Sequence, residues 1–238
     1  VRGACILVCA LVSAVPGCTG DTDPPWQLDH DRIIAVRATP PRIAAGEQAV
    51  LDALIGTKGS PVAERPPEHA TVLSPVSLAA AVTQDAARWV VTAPSDEALA
   101  GVRAELGLPA DALVPLEVRV TYAGGSLLAV KTVWLGGAAV NPTMTDIEID
   151  HARATATEVV VAPLQDIPLS SGLDDAHYDV TWLSSCGTMH DFDLPDAYLR
   201  IEADDPASGE LALVVRDSSG GVTWQVWLIR ADSLETSR

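Results

Sequence analysis

What most constrains the fold of this chain is that apolar, β-branched runs keep recurring and keep being cut short by Gly, Pro, Asn and Asp. In the first half these runs are Arg32–Thr39, Gln48–Ile55, Val76–Val82, Arg88–Thr92, Val114–Tyr122 and Leu127–Leu135. In the second they are Met144–Ile149, Glu158–Ala162, His177–Ser184, Tyr198–Ala203, Glu210–Asp217 and Val222–Ile229. Each suits a strand and is short for a packed helix, so the expected class is all-β. Ala123-Gly124-Gly125-Ser126 and Asp217-Ser218-Ser219-Gly220-Gly221 each join two runs with hairpin chemistry. One segment departs from the pattern. Ser95 is placed to cap a helix, Asp96 and Glu97 suit its positive end, and Ala98, Leu99, Val102 and Leu106 share a face before Gly107 and Pro109 stop it. Residues 56–75, with Gly, Pro and charge but little apolar content, read as a loop. Gly136-Gly137 and Asn141-Pro142 mark a boundary, giving two β-sandwich domains, 32–137 and 143–232, with the one short helix inserted in the first.

The start of the chain says where such domains work. Arg2 is a short basic head, Ala4–Val15 is an unbroken run of about 12 apolar or small residues, and Val15-Pro16-Gly17-Cys18 closes it. A membrane-spanning helix needs roughly 20 apolar residues, so the run reads as an export signal. The pattern resembles the signal peptide and lipobox of bacterial lipoproteins. That resemblance implies a leader over 1–17, lipidation at Cys18 and attachment to a membrane through the N-terminal lipid. Thr19, standing where an inner-membrane retention Asp would be, implies the outer membrane. Residues 18–31 read as a polar tether that holds the folded part clear of the bilayer.

Charge and cysteine use narrow the partners. The chain has 15 Lys and Arg against 32 Asp and Glu, and Arg2 is the only basic residue inside the leader. So acidic a chain repels nucleic acid and anionic lipid, because non-specific nucleic-acid affinity comes from basic side chains displacing counterions. Cys5 and Cys9 fall in the leader and Cys18 is the lipidation site, which leaves Cys186 without an intramolecular disulfide partner. Stability then rests on the core, for which 48% hydrophobic residues suffice.

A second resemblance concerns the fold. Ile33-Ile34-Ala35-Val36-Arg37-Ala38-Thr39-Pro40-Pro41, then Gly46-Glu47 and Val50-Leu51-Asp52-Ala53-Leu54, is similar to the opening strands of immunoglobulin-like domains in bacterial envelope lipoproteins. Val180-Thr181-Trp182-Leu183-Ser184-Ser185-Cys186-Gly187, followed by Val214-Val215-Arg216-Asp217 and Gly220-Gly221-Val222, is similar to the middle and last strands of bacterial Ig-like and polycystic-kidney-disease-like modules. An internal echo fits two related domains: Gly124-Gly125 leads to Trp134-Leu135, and Gly220-Gly221 leads to Trp227-Leu228.

Chemistry-bearing residues are densest at Cys186-Gly187-Thr188-Met189-His190-Asp191-Phe192-Asp193, with Asp196 just beyond. Cys186, Met189 and His190 are soft ligands suited to copper, and Asp191 and Asp193 complete a set suited to zinc. Against this stands a packed Cys186 beside Trp182, slow to react, with His190 in a solvated acidic loop. Asp174-Asp175, Asp204-Asp205 and Asp217 carry hard oxygens suited to calcium, or are solvated turns. No Gly-x-Ser-x-Gly, His-Glu-x-x-His or phosphate loop occurs, and nothing orients His190 as a base, so no enzyme is expected. Trp224 and Trp227 lie on opposite faces of one strand, which offers one of them as a contact residue. The expected role is a lipid-anchored, non-enzymatic envelope protein that binds a protein or glycan, adheres or spaces. The competing role is a periplasmic copper- or divalent-cation-binding protein centred on Cys186–Asp196.

Overall fold

The computed structural model describes residues 24–232. The 1–17 leader, Cys18 and the first residues of the 18–31 tether lie outside the described residues. In the first half come β1 (Arg32–Thr39), β2 (Arg42–Ile43), β3 (Gln48–Thr57), β4 (Ser60–Arg65), β5 (His69–Ser74), β6 (Val82–Asp85), β7 (Arg88–Thr92), the helix α1 (Asp96–Leu106), β8 (Val114–Tyr122) and β9 (Leu127–Leu135). The second half adds β10 (Glu148–Ile149), β11 (Ala152–Arg153), β12 (Glu158–Val161), β13 (Asp166–Ser170), β14 (Tyr178–Ser184), β15 (Thr188–His190), β16 (Asp196–Arg200), β17 (Ser208–Asp217) and β18 (Val222–Ala231). The described chain is all-β apart from α1 and short 3₁₀ turns.

The strands form four sheets, and the two halves repeat one topology. In the first half β1-β3-β7-β6, with β4 added against β3, is one sheet and β2-β9-β8-β5 the other. In the second, β10-β13-β16-β15, with β11 added against β10, matches the first of these, and β12-β18-β17-β14 matches the second. The match extends to direction: β2 runs parallel to β9 and β12 parallel to β18, while β8–β9 and β17–β18 are antiparallel hairpins.

Period-two patterning builds both cores. On β8, Val114, Leu116, Val118, Val120 and Tyr122 turn inward, while Glu117 and Arg119 face water. They meet Ala49, Leu51, Ala53 and Ile55 of β3 across one core. In the second half Leu211, Leu213 and Val215 of β17 meet Ile167 and Leu169 of β13 and Leu199 of β16. Burying each such Leu, Ile or Val contributes about 1.5–3 kcal/mol. α1 docks through Leu99 and Val102; Ser95 Oγ accepts from Ala98 N, and Gly107 ends the helix in the left-handed region.

A third apolar cluster joins the halves. Ala35 and Leu54 from β1 and β3 pack with Leu183, Ala212, Val214 and Val222 from β14, β17 and β18. A register shift in β1 between Ile33 and Ala35 sends Ile34 as well as Ala35 toward this seam, the usual effect of a bulge. Side chains cross it too. Arg42 Nε donates to Ser219 O at 2.9 Å, Arg216 Nη2 to Ile34 O at 3.1 Å, and Lys131 Nζ to Gly220 O at 2.8 Å. Val62 N donates to Glu210 Oε2 at 2.8 Å, and Asn141 bonds both Ala38 O and Val222 N.

Several sequence expectations are corrected. Residues 56–75 are not a loop: β4 and β5 occupy most of them, and their half-polar composition reflects a β4 that buries no residue fully and a β5 with one exposed face. Val76–Val82 is mainly a 3₁₀ turn rather than a strand; after Pro75 its small alanines bury only Leu78 and Ala81. Met144–Ile149 shortens to the two residues of β10, and β13 and β15 arise where no strand was expected. The 18–31 tether is not free along its length. Leu28 is buried in the seam, Leu28 N donates to Ser184 O at 2.9 Å, and Ser184 N donates to Trp26 O at 3.0 Å. Gly56 lets this segment cross β3, since a Cβ there would lie 2.9 Å from His30 O.

Candidate functional site

The residues nominated from Cys186 onward do not converge. β14 ends at Ser184, whose buried Oγ donates to Cys186 O at 2.6 Å and accepts from Cys186 N at 3.2 Å, folding the chain tightly inward. Cys186 is 2% exposed and lies in the same core cluster as Trp182. Burial pushes its thiol above the ordinary range, opposed by the Ser184 hydroxyl, so the nucleophilic thiolate is disfavoured. The first of the following residues, Thr188–His190, are strand rather than loop: they form β15, where alternation turns Met189 inward and leaves His190 exposed. The acidic turn expected at Asp191 and Asp193 follows it, exposed. The two sulfur ligands, Cys186 and Met189, thus sit in the core, and His190, Asp191 and Asp193 outside. Among the described residues no group of three or more His, Cys, Asp and Glu side chains lies where it could hold a metal ion.

Two of the other nominated carboxylates, Asp217 and Asp174, have local tasks. Asp217 Oδ1 accepts from Ser219 N, Ser219 Oγ and Gly221 N, tying the β17–β18 turn. Asp174 Oδ1 accepts from Ala176 N, and the next turn places His177 against Oδ2. That backbone N–H, with His177, holds the Asp174 carboxyl below its usual range.

The two tryptophans divide as their spacing required, although neither stands free as a contact residue. Trp227 is fully buried and stacks on Trp182 with ring centroids 6.4 Å apart, so it cannot meet a partner. Trp224 is half-buried at the seam. The Arg37 guanidinium lies 3.9 Å from its ring centroid, and its Nε1 donates to Glu64 Oε2 at 3.1 Å. Arg37 also pairs with Asp52 through two hydrogen bonds, at 3.0 and 2.6 Å, and with Glu64 at 2.9 Å. Burial alone would lower the guanidinium; Asp52 and Glu64 together hold it above its ordinary value.

Sequence reasoning missed the seam residues Arg37, Asp52, Glu64, Lys131, Asn141 and Arg216. Two signals for them exist. Leu211-Ala212-Leu213-Val214-Val215 is apolar without alternation, which in a strand means burial on both faces. Lys131 interrupts the inward series of β9 that continues with Val133 and Leu135, and a lysine so placed needs a polar destination.

No protein-family model matches the sequence, and no curated protein matches it. Solved structures do align over most of its length. The human Desmocollin-1 ectodomain aligns at 13% identity and TM-score 0.27, covering 88% of this chain and 39% of that one. Fibronectin(III)-like modules of Clostridium thermocellum CbhA align at 12% identity and TM-score 0.28, covering 86% and 97%. The titin domains z1z2 in complex with telethonin align at 13% identity and TM-score 0.23, covering 83% and 95%. This chain thus spans about two fifths of the desmocollin chain it aligns with. At these TM-scores no reading of its role rests on the alignments.

Proposed function

We propose that this chain is a lipid-anchored, non-enzymatic envelope protein of two immunoglobulin-like sandwiches, 32–137 and 143–232. In this reading it is attached through Cys18 to the outer membrane and binds a protein or glycan, adheres or spaces. The observation that carries the reading is the seam. Two sheet pairs of one topology are clamped by an apolar patch and by cross-seam hydrogen bonds from Arg42, Lys131 and Arg216. A joint of this kind holds two surfaces at a fixed angle, which suits presentation and spacing better than turnover. The Ig-like part is supported by the sheet orders, which follow the immunoglobulin pattern of four strands opposite three, plus one short outer strand. Trp182 in the middle of β14 stands where such domains carry a buried tryptophan.

Two measurements test it. Labelled palmitate should enter the full chain and not Cys18→Ser, with the variant lost from the membrane fraction; an unlabelled wild type, or an unchanged fraction, removes the anchor. The immobilised full chain should retain one envelope protein or glycan from extracts, and should lose it when the seam is opened by Val214→Asp. Retention of nothing specific would leave spacing as the sole role.

A further inference from the structure

We propose that a small cavity at one end of the first sandwich binds a free α-amino acid with a modest apolar side chain. The cavity lies where the last residues of β3, β4 and β8 meet the first residue of β9 and the residues just before β1 and β5, and its volume is ≈ 200 Å³. That is below the roughly 300 Å³ at which pockets for drug-sized ligands begin, so the occupant is small.

Three features of the wall define its chemistry. Tyr122 lines the cavity; it is 3% exposed and belongs to the core, yet its hydroxyl has no hydrogen-bond partner among the described residues. A buried hydroxyl in this condition is unfavourable until something supplies a partner. Burial, with Asp52 nearby, holds the phenol well above its ordinary value, so it is a neutral donor. Second, charges of both signs share the wall without pairing. Asp31 Oδ1 takes the Lys58 N–H and Glu68 Oε2 takes the Gly124 N–H, which fixes both carboxylates, while Arg65 makes no ion pair among the described residues. Exposed charges of both signs lining one small cavity match a ligand that carries both. Third, Ile55 and Leu127 give an apolar patch beside them. A zwitterion satisfies the set: its carboxylate meets Arg65 and the Tyr122 hydroxyl, its ammonium meets Asp31 and Glu68, and its side chain covers Ile55 and Leu127. This inference stands apart from the anchoring and partner reading.

Calorimetric titration of the full chain with alanine, valine and leucine, each beside acetate and methylamine, tests it. One of the amino acids should bind at least about tenfold more tightly than either single-charge probe, and Arg65→Gln and Tyr122→Phe should each weaken it about tenfold. Tyr122→Phe should leave the thermal midpoint of the unliganded chain unchanged or raise it, because no protein bond is lost. Absence of heat at millimolar amino acid overturns the proposal. So does equal binding by Tyr122→Phe and wild type, or a lowered midpoint in unliganded Tyr122→Phe, which would mean that the hydroxyl is already satisfied by cavity water.

Discussion

The hairpins β8–β9 and β17–β18 occupy equivalent places in their sheets, and they meet different surroundings. Both turn on paired glycines and both bury an alternating inner face. On the outer face of β8–β9, Glu117, Arg119, Leu128 and Val130 look into solvent. On the outer face of β17–β18, Ala212 and Val214 are buried against the first half, with Trp224 and Val226 beside them. One topology thus yields a surface sheet or a shared sheet, according to whether the outward positions are polar or apolar. The turns differ in the same way. A Cβ on Gly124 would meet nothing within 4 Å, whereas one on Gly220 would lie 2.9 Å from Trp134 Nε1.

The largest expected effect is at the covered outer face. Val214 is 0% exposed and Val130 51%; Val214→Asp should cost about 4 kcal/mol by burying an unpaired carboxylate, and Val130→Asp no more than about 0.5 kcal/mol. Urea midpoints of the full chain compare them, and similar losses would show that the seam contributes little.

Next comes Lys131, the lysine by which one hairpin reaches the turn of the other. Burial, followed by the neighbouring Arg216, pushes its ammonium down from 10.5 to about 8, despite Asp217 nearby. Between those values the unfolded chain binds the extra proton, so stability from this group rises as pH rises from about 8 toward 10.5. Wild type should therefore gain on the order of 3 kcal/mol over Lys131→Met across that interval. A difference that stays flat with pH, measured by denaturant titration at each pH, would place the ammonium in water.

The turns give a smaller contrast. Gly220→Ala combines a left-handed backbone with a collision on Trp134, and about 2 kcal/mol is expected; Gly124→Ala has the backbone strain alone, about 1 kcal/mol. Thermal midpoints that rank the two in reverse would contradict the close approach at the second turn.

The inner faces should behave alike, and Cys186, packed beside Gly209 of β17, probes the second of them. Cys186→Ala should cost about 1 kcal/mol, and the native thiol should react far more slowly with thiol reagents than the unfolded one. Immediate labelling of the native chain would remove it from the core.

Much of this was legible locally. The runs Val114–Tyr122 and Leu127–Leu135, the glycine pairs, the Ser95 cap and the Gly107 stop each act within a few residues, and the structure uses each as read. The candidate site was less legible. Placing Cys186 on the Trp182 face needed only a period of two, but whether Thr188–His190 would be strand depended on Tyr198 and Leu199, which pair with it from β16.

What the sequence determined by itself is therefore which residues of a strand turn inward and where strands turn back, because these follow from backbone geometry and residue type over short distances. Tertiary structure alone decided that β4, β5 and β15 exist, that Trp26–Leu28 joins β14, and that Val214 and Trp224 meet Arg37, Leu54 and Glu64. Short or half-polar strands are stable only when a distant partner completes their hydrogen bonds, and an apolar outer face names no partner until another sheet covers it.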